Sequence, residues 1–303
     1  MQVGAILSQA DSGTDAGKIR HFAQAVEAAG FQHLMAYDHV LGAAHDRLDG
    51  GRFGSFPSPP YTSEHTFHEI LVLFGHLAAV TSTLELVTSV LVLPQRQTAV
   101  VGKQIATLDL LSGGRIRLAV GVGWNWAEYE SLGADFDART EVLAEQVEVL
   151  RALWTQPLVT FSGRYHALDR VGINPLPAHP IPIMMGTKAS PDALRRVART
   201  ADGWMPLLLP GIDTVDLATG VTRLRQIAAD EGRDPASLPI HGRVYLGAGW
   251  QREVDQAVEL GFSHLSIGVN RIANPGLGID FHLDALLAVK AEVANIVGGT
   301  GES

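Results

Sequence analysis

Cysteine is missing altogether from the 303-residue chain. Its absence removes disulfides, thiol nucleophiles and the cysteine-based zinc and iron–sulfur sites together. Positive charge is in short supply, since 23 Lys and Arg stand against 32 Asp and Glu, a formal net charge of -9. Such a surface repels nucleic acid and anionic membrane at long range, so neither is expected as a partner. An anionic ligand would need a local pocket of basic groups or backbone N–H donors. Long hydrophobic runs are also lacking: the longest, residues 70–80, carries His76 and is too short to span a bilayer. The apolar residues 1–7 have no basic segment before them, and Ser8, Gln9 and Asp11 follow at once. No signal peptide is expected, and the expected compartment is the cytoplasm.

What is present favours one large domain. Hydrophobic residues make up 46% and charged residues 18% of the chain, enough for a sizeable core under a hydrated surface. The length exceeds the roughly 250 residues of a typical (β/α)8 barrel and leaves room for insertions. Short apolar or β-branched runs alternate with longer helical ones: 2–7 then 17–29, 32–36 then 67–80, 84–93 then 98–111, 115–121 then 140–154. The pattern continues with 181–186 then 191–199, 203–207 then 213–231, 238–246 then 251–260, and 263–268 then 281–296. That makes eight strand–helix units, the number at which a parallel α/β sheet closes into a TIM barrel. Two stretches interrupt it. Residues 41–63 are rich in Gly, Pro and Ser and read as a long, lid-like loop after the second strand. Residues 157–180, with a hairpin-like run at 159–165, read as an insertion before the fifth strand. Both belong to a single domain, 1–303, with a frayed tail from 298.

Several motifs carry chemistry less well than they first suggest. Gly121-Val122-Gly123 follows a strand, but Trp126 stands where a dinucleotide fingerprint needs its third glycine. Gly17-Lys18 lacks both the first glycine and the hydroxyl of a phosphate loop, whose places are taken by Ser12 and Ile19. Glu64, His65, His68 and Glu69 lie close together, yet Thr66 to Glu69 has capping-box spacing and no motif adds a third metal ligand, so no metal is expected.

Two stretches are stronger. Asp38-His39 lies just past the second strand, where barrel enzymes place their chemistry. An imidazole there could exchange protons near neutral pH, or could simply bond within a loop. Gly186-Thr187-Lys188-Ala189-Ser190-Pro191 follows the fifth strand and opens a helix. The reading is a phosphate cradle rather than an ordinary capped turn, because the glycine, two hydroxyls, an ammonium and helix-start N–H groups converge there.

In order along the chain, the runs at 36–40 (Ala-Tyr-Asp-His-Val), 88–96, 104–115, 121–124, 161–166 and 201–204 resemble the bacterial luciferase-like superfamily, and within it the group that uses the deazaflavin coenzyme F420. The resemblance implies a barrel that holds a flavin or deazaflavin ring against the ends of strands two to four, with its phosphate near the 186–190 turn. It places His39 as the catalytic group at the ring's reacting edge. Asp38, Thr88, Ser89, Val90, Gly121, Val122, Gly123 and Asn125, with Gly186, Thr187, Lys188 and Ser190, become the implied cofactor contacts. It also implies a backbone bulge with a cis peptide between Ser89 and Val90, pressing on the ring. The chain departs from the F420-dependent sugar-phosphate and alcohol dehydrogenases. Ala43 or Ala44 stands where those carry a tryptophan, and Trp124 where they carry a glutamate, so their substrates do not transfer.

The implied activity is hydride transfer between F420 and a small organic substrate, with His39 moving the proton. The alternatives are an FMN-dependent monooxygenase that activates oxygen and a non-catalytic flavin-binding protein. Finally, apolar residues surround most of the helix expected at 67–80, including Phe67, Ile70, Leu71, Val72, Leu73, Phe74, Leu77 and Val80. An outer barrel helix needs one apolar stripe, so a homodimer is expected to cover the rest.

Overall fold

In the computed structural model, the structure describes residues 1–48, 59–207, 215–269 and 276–299. Eight parallel strands form the barrel: β1 (Gln2–Leu7), β2 (His33–Ala36), β3 (Glu85–Thr88), β4 (Ile116–Gly121), β5 (Ile183–Thr187), β6 (Gly203–Pro206), β7 (His241–Leu246) and β8 (His264–Val269). Hydrogen bonding orders them β7-β8-β1-β2-β3-β4-β5-β6, and a parallel bridge from Trp204 to Ile240 brings the two ends together. The outer helices are α1 (Ala16–Ala28), α2 (Ile70–Val80), α3 (Thr98–Ser112), α4 (Arg139–Thr155), α5 (Pro191–Thr200), α6 (Leu217–Asp230), α7 (Trp250–Glu259) and α8 (Ile279–Gly298). Among the described residues, no helix is long and apolar enough to cross a membrane.

The strands are apolar on both faces because both faces are buried. Their outward residues, among them Leu34, Leu86, Leu118, Ile183 and Leu265, pack under the helices in the main core. Inward residues form a separate layer inside the barrel, made of Ile6, Met35, Val87, Ala119, Met184 and Met205. This layer is a floor: below it lie polar groups at the amino ends of the strands, and above it opens the mouth where the loops converge.

Three local features differ from the sequence expectations. The expected third strand, 84–93, is broken: β3 ends at Thr88, the Ser89–Val90 peptide is cis as expected, and Leu91–Val92 forms a short strand of its own on β4. The helix expected from residue 67 begins at Ile70, so the capping box at Thr66 does not form. Instead Glu69 is itself the N-cap, accepting from Val72 N–H at 2.8 Å, while the His68 N–H is drawn to Gln9 Oε1 at 2.8 Å. Tertiary partners have outbid the local motif. The apolar excess of α2 is also mostly covered within the chain, by α1, α3 and β3, which leaves Val72, at 72% exposure, as its one exposed large apolar side chain. The main reason for expecting a dimer is thereby reduced to a small patch.

Before β5, Val159–Ser162 and Ala167–Val171 form the expected hairpin, antiparallel and longer than its sequence signature. The stem of the 41–63 loop is pinned shut, with Ser63 N–H donating to Ala43 O at 3.0 Å and no room at Gly42 for a Cβ against the Thr62–Ser63 backbone. Residues 49–58, the middle of the expected lid, lie outside the described residues, as do the last four of the expected tail, 300–303.

Candidate active site at the barrel mouth

His39 leaves the carboxyl end of β2 and lies in an aromatic enclosure. Its ring sits 3.8 Å from that of Tyr61, with Phe67 edge-on at 5.0 Å and Trp124 at 6.3 Å. Its Nδ1 faces the Glu128 carboxylate at 3.5 Å. Glu128 is only 2% exposed, and its oxygens collect the Val40 N–H, the Leu41 N–H at 3.0 Å and the Tyr61 hydroxyl at 3.1 Å. Burial pushes this carboxyl up, but His39 and the two N–H donors outweigh it and hold Glu128 below the usual glutamate range. The carboxylate therefore stays ionised, and an imidazole whose Nδ1 faces it turns Nε2 the other way.

The short helix Trp126–Ser131 puts Glu128 there. Asn125 caps it through Oδ1, which accepts from Glu128 N–H at 3.3 Å, while its Nδ2 donates to the Tyr61 hydroxyl at 2.7 Å. Neither Glu128 nor Tyr61 was legible as a site residue. One available signal was the spacing of Asn125 and Glu128, an N-cap followed three residues later by glutamate. Tyr61, at the end of a Pro-rich loop, carries no signal of its own.

Of the expected cofactor contacts, several are already engaged by the protein. Asp38 is 2% exposed, and its carboxylate accepts from Val92 N–H at 2.9 Å and from Arg96 at 2.6 Å. Arg96 also pairs with Glu69 at 2.9 Å, and the two carboxylates raise its pKa against the effect of burial. Thr88 is fully buried, bonding both the carbonyl and the N–H of Ala119 at 2.7 and 2.9 Å and so bracketing β3 to β4. Ser89 Oγ meets Met205 Sδ at 3.4 Å. These residues build the wall of the mouth, and Asn125 does the same.

Val90 lies within it. Its two methyl groups occupy the space that a Cβ would need at Gly121 and at Gly186. Those two glycines thus serve a notch for Val90, which packs on the Met184 and Met205 floor. Gly123 has φ +63° and sits against Val92, a position where a side chain would be both strained and crowded. The Val122 carbonyl accepts from the Tyr129 hydroxyl at 2.7 Å.

Across the mouth, the turn after β5 presents Lys188 and Ser190 on the surface at the start of α5. Ser190 caps the helix with a 3.4 Å contact to Ala193 N–H, and the Thr187 carbonyl receives Leu207 N–H and Trp204 Nε1 at 3.0 and 3.1 Å. The residues of the supposed metal cluster go elsewhere: His65 Nδ1 accepts from Thr62 N–H at 3.0 Å, and His68 Nε2 meets the Gly13 carbonyl at 3.0 Å.

Residues 2–260 match the family model of the luciferase-like monooxygenases. The chain belongs to that family. As a luciferase-like protein it is an enzyme of an oxidoreductase and monooxygenase group. An uncharacterized protein of Mycobacterium tuberculosis is 34% identical over 236 residues, covering 75% of this chain and 77% of its own. The pyrimidine monooxygenase RutA of Escherichia coli is 28% identical over 266 residues, covering 77% of this chain and 68% of its own. Among solved structures, an F420-dependent secondary alcohol dehydrogenase superposes with a TM-score of 0.74 at 17% identity, covering 98% of each chain. The long-chain alkane monooxygenase LadA gives 0.70 at 15% identity, covering 100% of this luciferase-like chain and 96% of that one. Both share the barrel.

Proposed function

We propose that the chain is an F420-dependent oxidoreductase acting on a small organic substrate, with His39 as its proton donor and acceptor. The observation that carries this reading is the pairing of His39 Nδ1 with the buried, ionised Glu128 at the mouth of the barrel. The mouth fits a large planar ring. Both amide atoms of Gln95 are buried without a hydrogen-bond partner among the described residues, and Val90 forms a firm ridge between Gly121 and Gly186. On this reading the ring rests on Ser89, Val90 and the 121–123 backbone, while Thr187, Lys188 and Ser190 hold the phosphate at the start of α5. Asp38, Thr88 and Asn125 act one step back, fixing those segments.

When bound, F420 would supply a carbon that gives or takes a hydride. The chain's own part is to exclude water and move the accompanying proton. Glu128 accepts from Nδ1–H, which leaves Nε2 as the atom that gains or loses a proton, and the carboxylate stabilises the imidazolium when it forms. Tyr61, Phe67 and Trp124 cover the imidazole, keeping the exchange away from bulk solvent.

A second reading, an FMN-dependent monooxygenase, draws on the sequence match to RutA. The two separate cleanly in a parallel titration of the purified chain with F420 and with FMN. Tenfold tighter binding of F420 is the expected result, and the opposite preference overturns it.

A further inference from the structure

Strand β7 points His241, Arg243 and Tyr245 into the barrel in succession, because alternate residues of a strand share a face. His241 ends below the floor, bonded to Ser266. Tyr245 reaches the mouth, where its hydroxyl bonds that of Tyr37, across the barrel from β2, and both rings pack on the inner apolar layer. Between them lies Arg243, half-buried, donating to the Pro206 carbonyl at 3.3 Å, with its charge acting on the Tyr37 hydroxyl. No carboxylate pairs with it among the described residues, whereas Arg96 has Asp38 and Glu69, and Arg117 has Glu85.

A half-buried cation above an apolar floor is costly unless an anion completes it. Burial, reinforced by Tyr245, holds the Tyr37 hydroxyl protonated, so it remains a donor. A planar fork and the one phenolic hydrogen that the Tyr37–Tyr245 pair leaves free converge on one space and match the two oxygens of a carboxylate. We infer that Arg243, Tyr37 and Tyr245 form an oxyanion subsite that takes the carboxylate of an otherwise apolar, planar substrate. The sector is the one left over when a ring occupies the ends of β2 to β4 and its phosphate the turn after β5. The inference rests on the mouth being the substrate site and not on the choice between F420 and FMN.

The test is binding to the purified full chain, read by calorimetry, with benzoate and its uncharged analogues benzamide and benzyl alcohol as probes. The wild type is expected to prefer benzoate to benzamide by tenfold or more. Arg243→Gln should abolish that preference, and Tyr245→Phe, which removes one hydroxyl and keeps the ring, should reduce it three- to fivefold. Arg225→Gln, whose guanidinium bonds the exposed Leu260 carbonyl, should leave it unchanged. Should Arg243→Gln fail to fold, Tyr245→Phe carries the test. Equal binding of benzoate and benzamide by the wild type, or a preference unmoved in the folded variants, overturns the subsite. F420 and FMN are titrated into the same variants. If Arg243→Gln weakens a cofactor tenfold while benzoate is not preferred, the anionic oxygen belongs to the cofactor and the substrate subsite is overturned. If cofactor affinity holds within threefold while the benzoate preference disappears, the subsite is supported.

Discussion

At the carboxyl ends of the strands, His39 is partly exposed and faces a carboxylate. At the amino ends, His33 and His241 are fully buried, and both Nε2 atoms turn to one hydroxyl, Ser266 Oγ, at 2.8 and 2.9 Å. His264 stacks beside them, its ring 5.4 Å from that of His241. A serine hydroxyl has one hydrogen, so at least one of the two imidazoles must donate to it, and burial keeps both rings neutral. The cation beside them, Arg117, opposes their protonation. The same residue type thus faces a carboxylate at one end and is barred from taking up a proton at the other. Burial decides this first, and the neighbouring charges second.

The comparison breaks most severely if the basal histidines take up protons. Burial, and then neighbouring Arg117 and His264, push His33 well below its ordinary value; burial and the other imidazoles do the same to His241. His264 is pulled down to about 3, again chiefly by burial. Their folded pKa values lie below the unfolded ones, so the unfolded chain binds protons first as pH falls. Stability is full above about pH 6.5 and is lost progressively below it, by up to about 1.4 kcal/mol per unit for each group. From pH 7 to 5 the three basal histidines should together cost about 6 kcal/mol at most, measured by denaturant unfolding at the two pH values. Flat stability, or imidazole NMR signals that titrate near 6.5, would show that these rings are not sealed.

At the mouth the expected effects are on rate. His39→Ala should lower turnover by about 10²-fold or more, as loss of a general acid–base group does, with cofactor affinity held within a few-fold. Unchanged turnover would make His39 as structural as His33. Glu128→Gln should cost about tenfold. It should also alter the acid limb of the pH profile, because the carboxylate that faces Nδ1 is gone. A purely structural Glu128 would lower yield or melting temperature without moving that limb.

How much of this was legible depended on the range of the interaction. The eight strand–helix units were readable because buried parallel strands are continuous apolar runs, and the sequence order of the β2, β4 and β5 ends placed the mouth. Individual roles were not readable where a distant partner decides them. Thr88 looks like a ligand contact in its run but spends both hydrogen-bonding functions on Ala119. Gly121 and Gly186 look like close approaches to a ligand, yet both first make room for Val90. Glu69 reads as the far end of a capping box and is a cap that also holds Arg96. Glu128 is separated by 89 positions from His39, and no local pattern joins them.

The smallest expected effect lies farthest from the histidines, at the turn after β5. Lys188 and Ser190 are exposed at the start of α5. With a net charge of -9, the protein attracts an anionic cofactor only where a local cation and a helix start overcome the general field. Lys188→Ala should therefore weaken cofactor binding by about five-fold, since an exposed ammonium contributes modestly and is screened by salt. The distinguishing measurement is the salt dependence of affinity between low and physiological ionic strength. Loss of an ammonium–phosphate contact flattens that slope. Loss of a helix-capping neighbour weakens binding at every salt concentration equally. A slope as steep in the variant as in the wild type would move the phosphate away from this turn, and His39 would then need a cofactor held some other way across the same mouth.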